Sequence, residues 1–580
     1  MKQTIQRFLP YLVKYPIEMI AALILGIIGG IASVTITYYT GKAIDTLIGP
    51  HQVKFSNLFS ILTILLITLL VTVISQWIVQ RLGNNMSYKA VATLRKETFT
   101  HLNQLSIQFY DQSAKGDLIS RLTNDLDVTA EASVAVFQNL FSGMTIVIIS
   151  LFSMLRLNIP LTFTVLIMTG CMFLVMWFVA KNSQERFQAQ QQIVGDISSF
   201  ISEIVGNQRL VKTFQYEEKS EERFDKLNQQ LFVEGQKAQF ISSLTNPVSR
   251  FIDHLGYISI GVLGGYLFLL NKGNVTIGMI SSFTIYASQF SKPFIELSGI
   301  ITQIQTALAG LNRVFYILDK PIEKDTGYLP LDKETLQGHI VFDQVDFAYE
   351  SNQPLIENFS LQANPGETIA IVGKTGAGKS TIVNLLMRFY PINEGTIKLD
   401  GLSIYDYSLD SYRQAFGMVL QDTWLFDGSI KANLLYGNPQ ASEKDMIQAA
   451  KEAKIHSFIQ KLPEGYETQI GSQGLSISEG QQQLLTIARV MLASPPILIL
   501  DEATSSVDTL TEKMIQEAFS AIMTGKTSFV IAHRLATIQE ADKIIVMEHG
   551  HILEIGTHQE LLQRENSAYK DIYEAQFLHT

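Results

Sequence analysis

Among its 580 residues the chain carries one cysteine, Cys171. A single thiol builds neither a disulfide framework nor a Cys/His metal cluster. Cys171 lies inside an apolar run and reads as a small buried hydrophobe. Positive charge is also short, with 44 Lys and Arg against 54 Asp and Glu and a net charge of −10. A nucleic-acid partner needs a basic face to neutralise phosphates, so this balance argues against one. The third shortage is local. Met19–Tyr39, Leu58–Val79, Ala132–Leu155 and Leu157–Ala180 contain no charged residue. Each is about twenty residues or longer, enough to cross ~30 Å of hydrocarbon as a helix.

Two shorter runs, Leu255–Asn271 and Val275–Ser291, reach spanning length if their polar flanks face a protein interior or a water-filled cavity. Six spans are expected. The first run is too long for a signal peptide, follows an amphipathic lead and lacks a small-residue cleavage pattern, so it reads as a retained anchor. The connections at about 80–131 and 181–239 are rich in Lys and Arg, whereas the outer ones hold only Lys54, Arg156 and Lys272. That asymmetry puts both termini on the cytoplasmic side.

The expected organisation is an α-helical membrane domain over 1–318, a linker over 319–337 and a soluble α/β domain over 338–580. Pro321, Gly327 and Pro330 interrupt any helix in the linker. Beyond it, strands alternate with helices, the pattern of a parallel-sheet α/β fold. The two long inner connections are polar with helical periodicity, so the spans should continue into the cytoplasm as hairpins. Segments near Ser113–Asp125 and Asn207–Gln215 are expected to touch the soluble domain at the hairpin tips. A solvated tip would instead leave Leu118, Ile119, Phe214 and Tyr216 in water.

Residues Gly373-Lys374-Thr375-Gly376-Ala377-Gly378-Lys379-Ser380-Thr381 follow the apolar strand Thr368–Val372 and open a helix. This is the strand-loop-helix setting of a phosphate-binding loop in a P-loop NTPase. Its glycines let backbone N–H groups curl round a β-phosphate, and the helix N-terminus favours negative charge. Lys379 is placed to reach the β- and γ-phosphates of ATP, and the Ser380 hydroxyl to bind Mg²⁺. Asp501 ends the apolar strand Ile497–Leu500, and an acid at the carboxyl end of a parallel strand faces the ligand crevice. It suits the magnesium ion, through water. Glu502 is the candidate general base for the attacking water.

In this order the motifs resemble those of the ATP-binding cassette exporters, and the chain looks like a half-transporter with one membrane domain and one ATPase domain. The resemblance covers essentially its whole length. It implies that Tyr349 stacks on adenine, that Gln421 senses the γ-phosphate and Mg²⁺, that Asp508 communicates across an ATPase dimer, and that His533 contacts the γ-phosphate. The family signature Leu-Ser-Gly-Gly-Gln stands here as Ile477-Ser478-Glu479-Gly480-Gln481. In the family this segment begins a helix aimed at the γ-phosphate bound by the opposite subunit. Glu479 adds a carboxylate beside that anion and constrains the backbone. Ser472 also stands where the family usually has Glu. Both departures fall on the half-site donated to a neighbour. The chain therefore resembles the catalytic-glutamate subunit of bacterial heterodimeric multidrug exporters, and the implied partner has an intact signature and a degenerate base. A homodimer that tolerates Glu479 is the alternative.

The fifth and sixth spans carry Arg250, Asp253, His254, Lys292 and Glu296, with Pro247 and Pro293. Ionisable groups at membrane depth face an interior or a cavity. Arg250 and Asp253 either pair on one helix or meet cargo. Phe283, Tyr286, Phe290 and Phe294 form a stripe that serves either helix packing or a flat, amphipathic or cationic small-molecule cargo. No peptidase domain precedes the first span and no large outer domain is present, so peptide processing and outside capture by this chain are not expected. The resemblance implies ATP-driven export from the cytoplasmic membrane. Lipid movement between leaflets and an ATP-gated channel or regulator are the competing readings, and motifs alone do not fix direction.

Overall fold

The computed structural model describes residues 2–47, 53, 55–270, 275–350, 353–421, 423–471, 474–501, 508–532 and 535–577. Glu502, His533, Ser472, Lys54 and Lys272 therefore lie outside the described residues. The chain divides into two compact units. One comprises Met1–Asn103 with Lys115–Lys320, the other Gln104–Ala114 with Pro321–Thr580.

The first unit is helical. A short helix, Lys2–Val13, precedes Pro16–Thr46, Phe55–Leu102, a long helical run over Lys115–Leu157, and Ile159–Gly206. After these come Gln208–Thr213, Glu217–Ser243, Thr245–Leu269 and Ile277–Leu318. Phe55–Leu102 and Ile159–Gly206 each have 48 residues, about 72 Å at 1.5 Å per residue, far more than a bilayer needs. Their polar ends therefore extend beyond any bilayer, as the long hairpins expected from the sequence would.

Among the described residues, five helices are long and apolar enough to cross a membrane: Pro16–Thr46, Phe55–Leu102, Lys115–Leu157, Ile159–Val179 and Pro247–Leu269. The expected sixth, inside Ile277–Leu318, has the length (42 residues) but not the composition. Ser281, Ser282, Thr284, Ser288, Gln289, Ser291 and Lys292 dilute it.

Small residues let these helices approach closely. A Cβ on Gly26 would lie 2.5 Å from the Phe141 carbonyl oxygen, and one on Gly30 would lie 2.6 Å from the Thr145 methyl carbon. Farther along, Arg313 clamps Asp125 through two hydrogen bonds of 2.8 and 2.5 Å, tying Ile277–Leu318 to the π-helical turn Arg121–Asp125. Cys171 is exposed rather than buried. It lies on the surface of an apolar span, where hydrocarbon replaces water and an exposed thiol carries no penalty.

The second unit holds a six-stranded sheet in the spatial order His551–Gly556, Lys543–Glu548, Thr368–Val372, Thr527–Ile531, Ile497–Asp501, Phe416–Val419. All neighbours are parallel except His551–Gly556, which pairs antiparallel at one edge. The four inner strands are buried almost throughout, which explains their continuous apolar sequence. A four-stranded sheet, Ile356–Ala363, Ile340–Phe347, Glu394–Leu399 and Leu402–Ser403, packs on it through Phe342, Phe359, Ile371 and Phe529.

Residues 321–339 hold no helix and lie along this unit, with Arg413 making two hydrogen bonds to Glu323 at 2.9 and 2.7 Å. Gln104–Ala114 belongs here too. The Gln104 carbonyl accepts from the Glu323 N–H at 2.8 Å, and Asp111 accepts from the Tyr390 hydroxyl at 2.6 Å. The contact expected for Ser113–Asp125 thus falls earlier in the chain, on the short helix Ile107–Asp111, while Lys115 onward joins the helical unit.

Candidate functional site

Parallel pairing decides where the chemistry gathers. Ile531 is in register with Ile371 on one side and Asp501 on the other, and Val419 with Leu500. Four strands therefore end on the same sheet edge. One leads into the phosphate loop after Val372, one ends in Asp501 and leads to Glu502, one leads through Ala532 to His533, and one leads to Gln421. An edge at the carboxyl ends of parallel strands is where α/β sheets bind ligands.

The loop itself is shaped for a phosphate. Gly378 has φ +95°, and a Cβ there would meet the Ile356 Cδ1 atom at 2.8 Å, so only glycine fits. Lys379 begins the helix Lys379–Leu386, is 9% exposed, and bonds back to the Gly373 and Lys374 carbonyls at 2.7 and 3.1 Å. Burial lowers its pKa, and the Asp501 carboxylate opposes that shift. The ammonium is therefore drawn into the loop it would share with phosphate oxygens. Ser380 and Gln421 lie exposed near this edge. With Asp501 they are oxygen donors of the kind Mg²⁺ takes beside phosphate and water. No cluster of three or more His, Cys, Asp or Glu side chains with metal-holding geometry occurs among the described residues.

Tyr349 follows the strand Ile340–Phe347. Its ring stands edge-on to Phe347 and Tyr390 at 4.8 and 4.9 Å and remains 41% exposed, a half-packed aromatic of the kind a base stacks on. Its hydroxyl donates to Thr381 Oγ1 at 3.4 Å and accepts from Asn384 at 3.1 Å, which fixes the ring beside the phosphate loop. Tyr390 and Asp111 were not legible as site residues. Burial, reinforced by the Asp111 hydrogen bond, raises the Tyr390 phenol above its usual range. No sequence pattern marks this link from Tyr349 to Asp111, since both of its contacts are long-range.

On another edge, Ser478 caps the helix Glu479–Ala493. Its hydroxyl accepts from the Gln481 N–H at 3.4 Å, and the Gln481 side chain accepts from the Ser478 N–H at 3.1 Å. Glu479 is the exposed first residue of that helix, and Gly480 is buried. Asp508 caps the helix Thr509–Met523 by accepting from the Thr511 N–H at 3.0 Å, which lowers its pKa.

In the helical unit the cargo-path residues separate. Phe283, Tyr286 and Phe290 are buried in one apolar cluster with Val34, Met154 and Leu161, with Phe294 packed against it. The Tyr286 hydroxyl donates to the Val34 carbonyl at 3.3 Å. That burial fits the packing reading of the stripe. Arg250 and Asp253 form no ion pair among the described residues, whereas Lys292 and Glu296 pair at 3.9 Å beside a cavity.

Comparisons with known proteins agree with this construction. A family model described as the ABC transporter transmembrane region matches residues 19–294, and one described as ABC transporter matches 356–505. A fatty acid ABC transporter ATP-binding/permease protein of Mycobacterium tuberculosis is 40% identical over 523 residues, covering 90% of this chain and 82% of the relative. A protein of Staphylococcus aureus named for multidrug export is 34% identical over 580 residues, covering 99% and 100%. Among solved structures, a bacterial Atm1-family ABC exporter with ATP bound aligns with a TM-score of 0.78 at 26% identity, over 97% of this chain and 98% of that one.

Proposed function

Because the chain belongs to the family of ABC transporter ATP-binding/permease proteins, we propose that it is one half of a heterodimeric exporter of amphipathic small molecules. It is a multi-pass membrane protein whose ATP hydrolysis is coupled to transport. In the proposed setting it lies in the bacterial cytoplasmic membrane with both termini inside. The relatives named for fatty acid transport and for multidrug export support an amphipathic cargo.

The residues take the following roles. Tyr349 stacks on adenine, the loop 373–381 cradles the phosphates, and Ser380, Gln421 and Asp501 hold Mg²⁺, which would neutralise charge on the transferring phosphoryl group. Glu502 takes a proton from the attacking water, and His533 orders the γ-phosphate. ATP favours the closed pair of ATPase units by its differential affinity for that state, and Asp508 relays between them.

One observation carries the heterodimer. Glu479 occupies the first turn of a helix that Ser478 and Gln481 have already capped. A carboxylate there is good for its own helix, because it meets the positive end of the helix dipole. For the same reason it takes the place that a neighbour's γ-phosphate would need. The side of the ATPase unit that serves its own nucleotide shows no such change. A non-identical half-transporter with an intact signature and a poor base completes the pair. The exposed tip residues Leu210, Phe214 and Tyr216 fit docking onto that second subunit.

Native mass spectrometry of the complex, isolated through a tag on this chain, tests the reading. A 1:1 complex with a different half-transporter is expected. A species of twice this chain's mass with full ATPase activity would replace the heterodimer with a homodimer. Movement of lipid between leaflets is the second reading, favoured by the fatty-acid relative. Lipid-stimulated turnover without any response to drugs would select it.

A further inference from the structure

The chain passes between its two units three times, at 103–104, 114–115 and 320–321. Inside the ATPase unit, bonds made near all three crossings lead to one short stretch, residues 387–390. This stretch follows the helix Lys379–Leu386, which begins in the phosphate loop. With 8 residues, that helix is about 12 Å long at 1.5 Å per residue.

A helix end leaves carbonyls without partners. Here Arg413, on the helix Leu409–Gln414, takes two of them. Its Nε donates to the Met387 carbonyl at 3.3 Å and its Nη2 to the Arg388 carbonyl at 2.9 Å. The guanidinium carbon lies 5.2 Å from the centre of the Phe389 ring. The same guanidinium grips both Glu323 carboxylate oxygens, and the two side chains are only 26% and 24% exposed. A planar fork engaged on both sides keeps one orientation, so a shift of the two carbonyls reaches Glu323. The Glu323 N–H donates in turn to the Gln104 carbonyl at 2.8 Å. Tyr390 completes the set by donating to Asp111 at 2.6 Å. Beyond the first and third crossings, within the helical unit, His101 Nε2 donates to the Lys320 carbonyl at 2.9 Å.

The linker does not need the ion pair to stay in place. The Asp406 carbonyl accepts from the Tyr328 and Leu329 N–H groups, both at 3.0 Å, and the Leu329 carbonyl accepts from the Ser408 N–H at 2.9 Å. Asp325 accepts from the Leu409 N–H at 2.9 Å. Gly327 comes so near the Tyr407 carbonyl that a Cβ would overlap it. A half-buried ion pair close to a crossing, added to a segment already held, points to coupling rather than to folding.

We propose that Arg413 and Glu323 are positioning residues for transport. They carry a shift of the phosphate-loop helix into the linker, and so to the helix Ile277–Leu318 that precedes it. The linker is then a route of its own, beside the one through the hairpin tip at 104–114. The inference rests on the reading of 373–381 as the phosphate cradle. Phosphate steadies the start of Lys379–Leu386, and the end of that helix holds Arg413.

The test uses the complete transporter in lipid nanodiscs, without nucleotide and with ADP trapped by orthovanadate, and follows amide hydrogen exchange by mass spectrometry. In the unaltered protein, trapping should slow exchange at the Glu323 N–H about tenfold as the pair tightens. Exchange at Tyr328 and Leu329 should change by less than about twofold. Glu323→Ala keeps the N–H, and it should lose the slowing while trapped ADP and basal ATPase stay within about twofold. Arg413→Ala should do the same, and the double variant no more, because the two side chains act as a unit. Glu323→Gln, which keeps the size of the side chain, serves if an alanine variant does not fold; it should cut the slowing to about threefold or less. A tenfold slowing that survives in the variants would overturn the proposal. So would its absence from unaltered protein that traps ADP, or an equal slowing at 323 and at 328–329, which is a general tightening of the linker. Failure to trap any ADP would strike the reading of the phosphate loop, and this inference with it.

Discussion

In the proposed pair, the ATPase unit would meet nucleotide in two different ways, through its own phosphate loop and through the signature helix it donates. On its own side, four buried parallel strands carry the phosphate loop, Asp501 and the approaches to Gln421 and His533 to one edge, with Lys379 already turned into the loop. On the donated side, a well-capped helix starts with a carboxylate where an anion should dock. The first is built for chemistry. The second keeps the fold of a capped helix, and in the proposed pair Glu479 would weaken its hold on a neighbour's phosphate. A helix N-terminus can exchange a bound phosphate for its own Glu and lose nothing in stability.

The largest expected effect breaks the comparison on the catalytic side. Glu502→Gln should bind ATP normally and hydrolyse it about 10²–10⁴-fold more slowly; steady-state turnover beside equilibrium ATP binding checks it. Normal turnover would remove Glu502 from its role. Next in size, Tyr349→Leu should raise the KM for ATP about tenfold with little change in kcat, since a base–aromatic stack is worth about 1–3 kcal/mol. An altered kcat alone would mean that the ring acts through Tyr390 and Asp111 rather than on adenine.

On the donated side the effect is smaller and opposite in sign. Glu479→Gly should tighten ATP binding at the site it faces by about two- to fivefold, the equivalent of about 0.3–1 kcal/mol at a helix N-terminus. It should also lower the thermal unfolding midpoint slightly, because the helix loses a favourable charge and gains a glycine. Weaker ATP binding in this variant would show that the carboxylate helps the site.

The smallest effect concerns pH. The Thr511 N–H holds the Asp508 carboxyl below its usual range, so its contribution to helix stability is present at neutral pH. That contribution fades as pH falls through the lowered pKa, below the ordinary carboxylate range near about 4. Asp508→Asn keeps a cap that does not titrate. The difference in unfolding midpoint between the two proteins should therefore diminish in acid, and a difference that grows would contradict the capping role.

The two units also differ in how much of them the sequence reveals. In the ATPase unit, phosphate chemistry demands fixed residue types at fixed spacing, so 373–381, Asp501 and the signature could be read from the chain alone. The family, the α/β sheet and the long helices were equally legible, from strand–helix alternation and uncharged runs. In the helical unit no chemistry imposes such spacing, and packing alone decides which residues meet. The aromatic stripe stayed open between two readings for a related reason, since helical spacing is the same for a core-facing ring and a cargo-facing one, and burial favours packing. The link from Tyr349 through Tyr390 to Asp111 joins residues far apart in the chain, beyond the reach of any local pattern.

The central claim is that this chain supplies the working side of one ATP site and the weakened side of the other. Trapping ADP with orthovanadate, which mimics the transferring phosphoryl group, counts the hydrolytic sites in the purified complex directly. One trapped ADP per pair of chains is expected, lost when this chain carries Glu502→Gln. Two trapped ADP per pair, with both sites turning over, would contradict it.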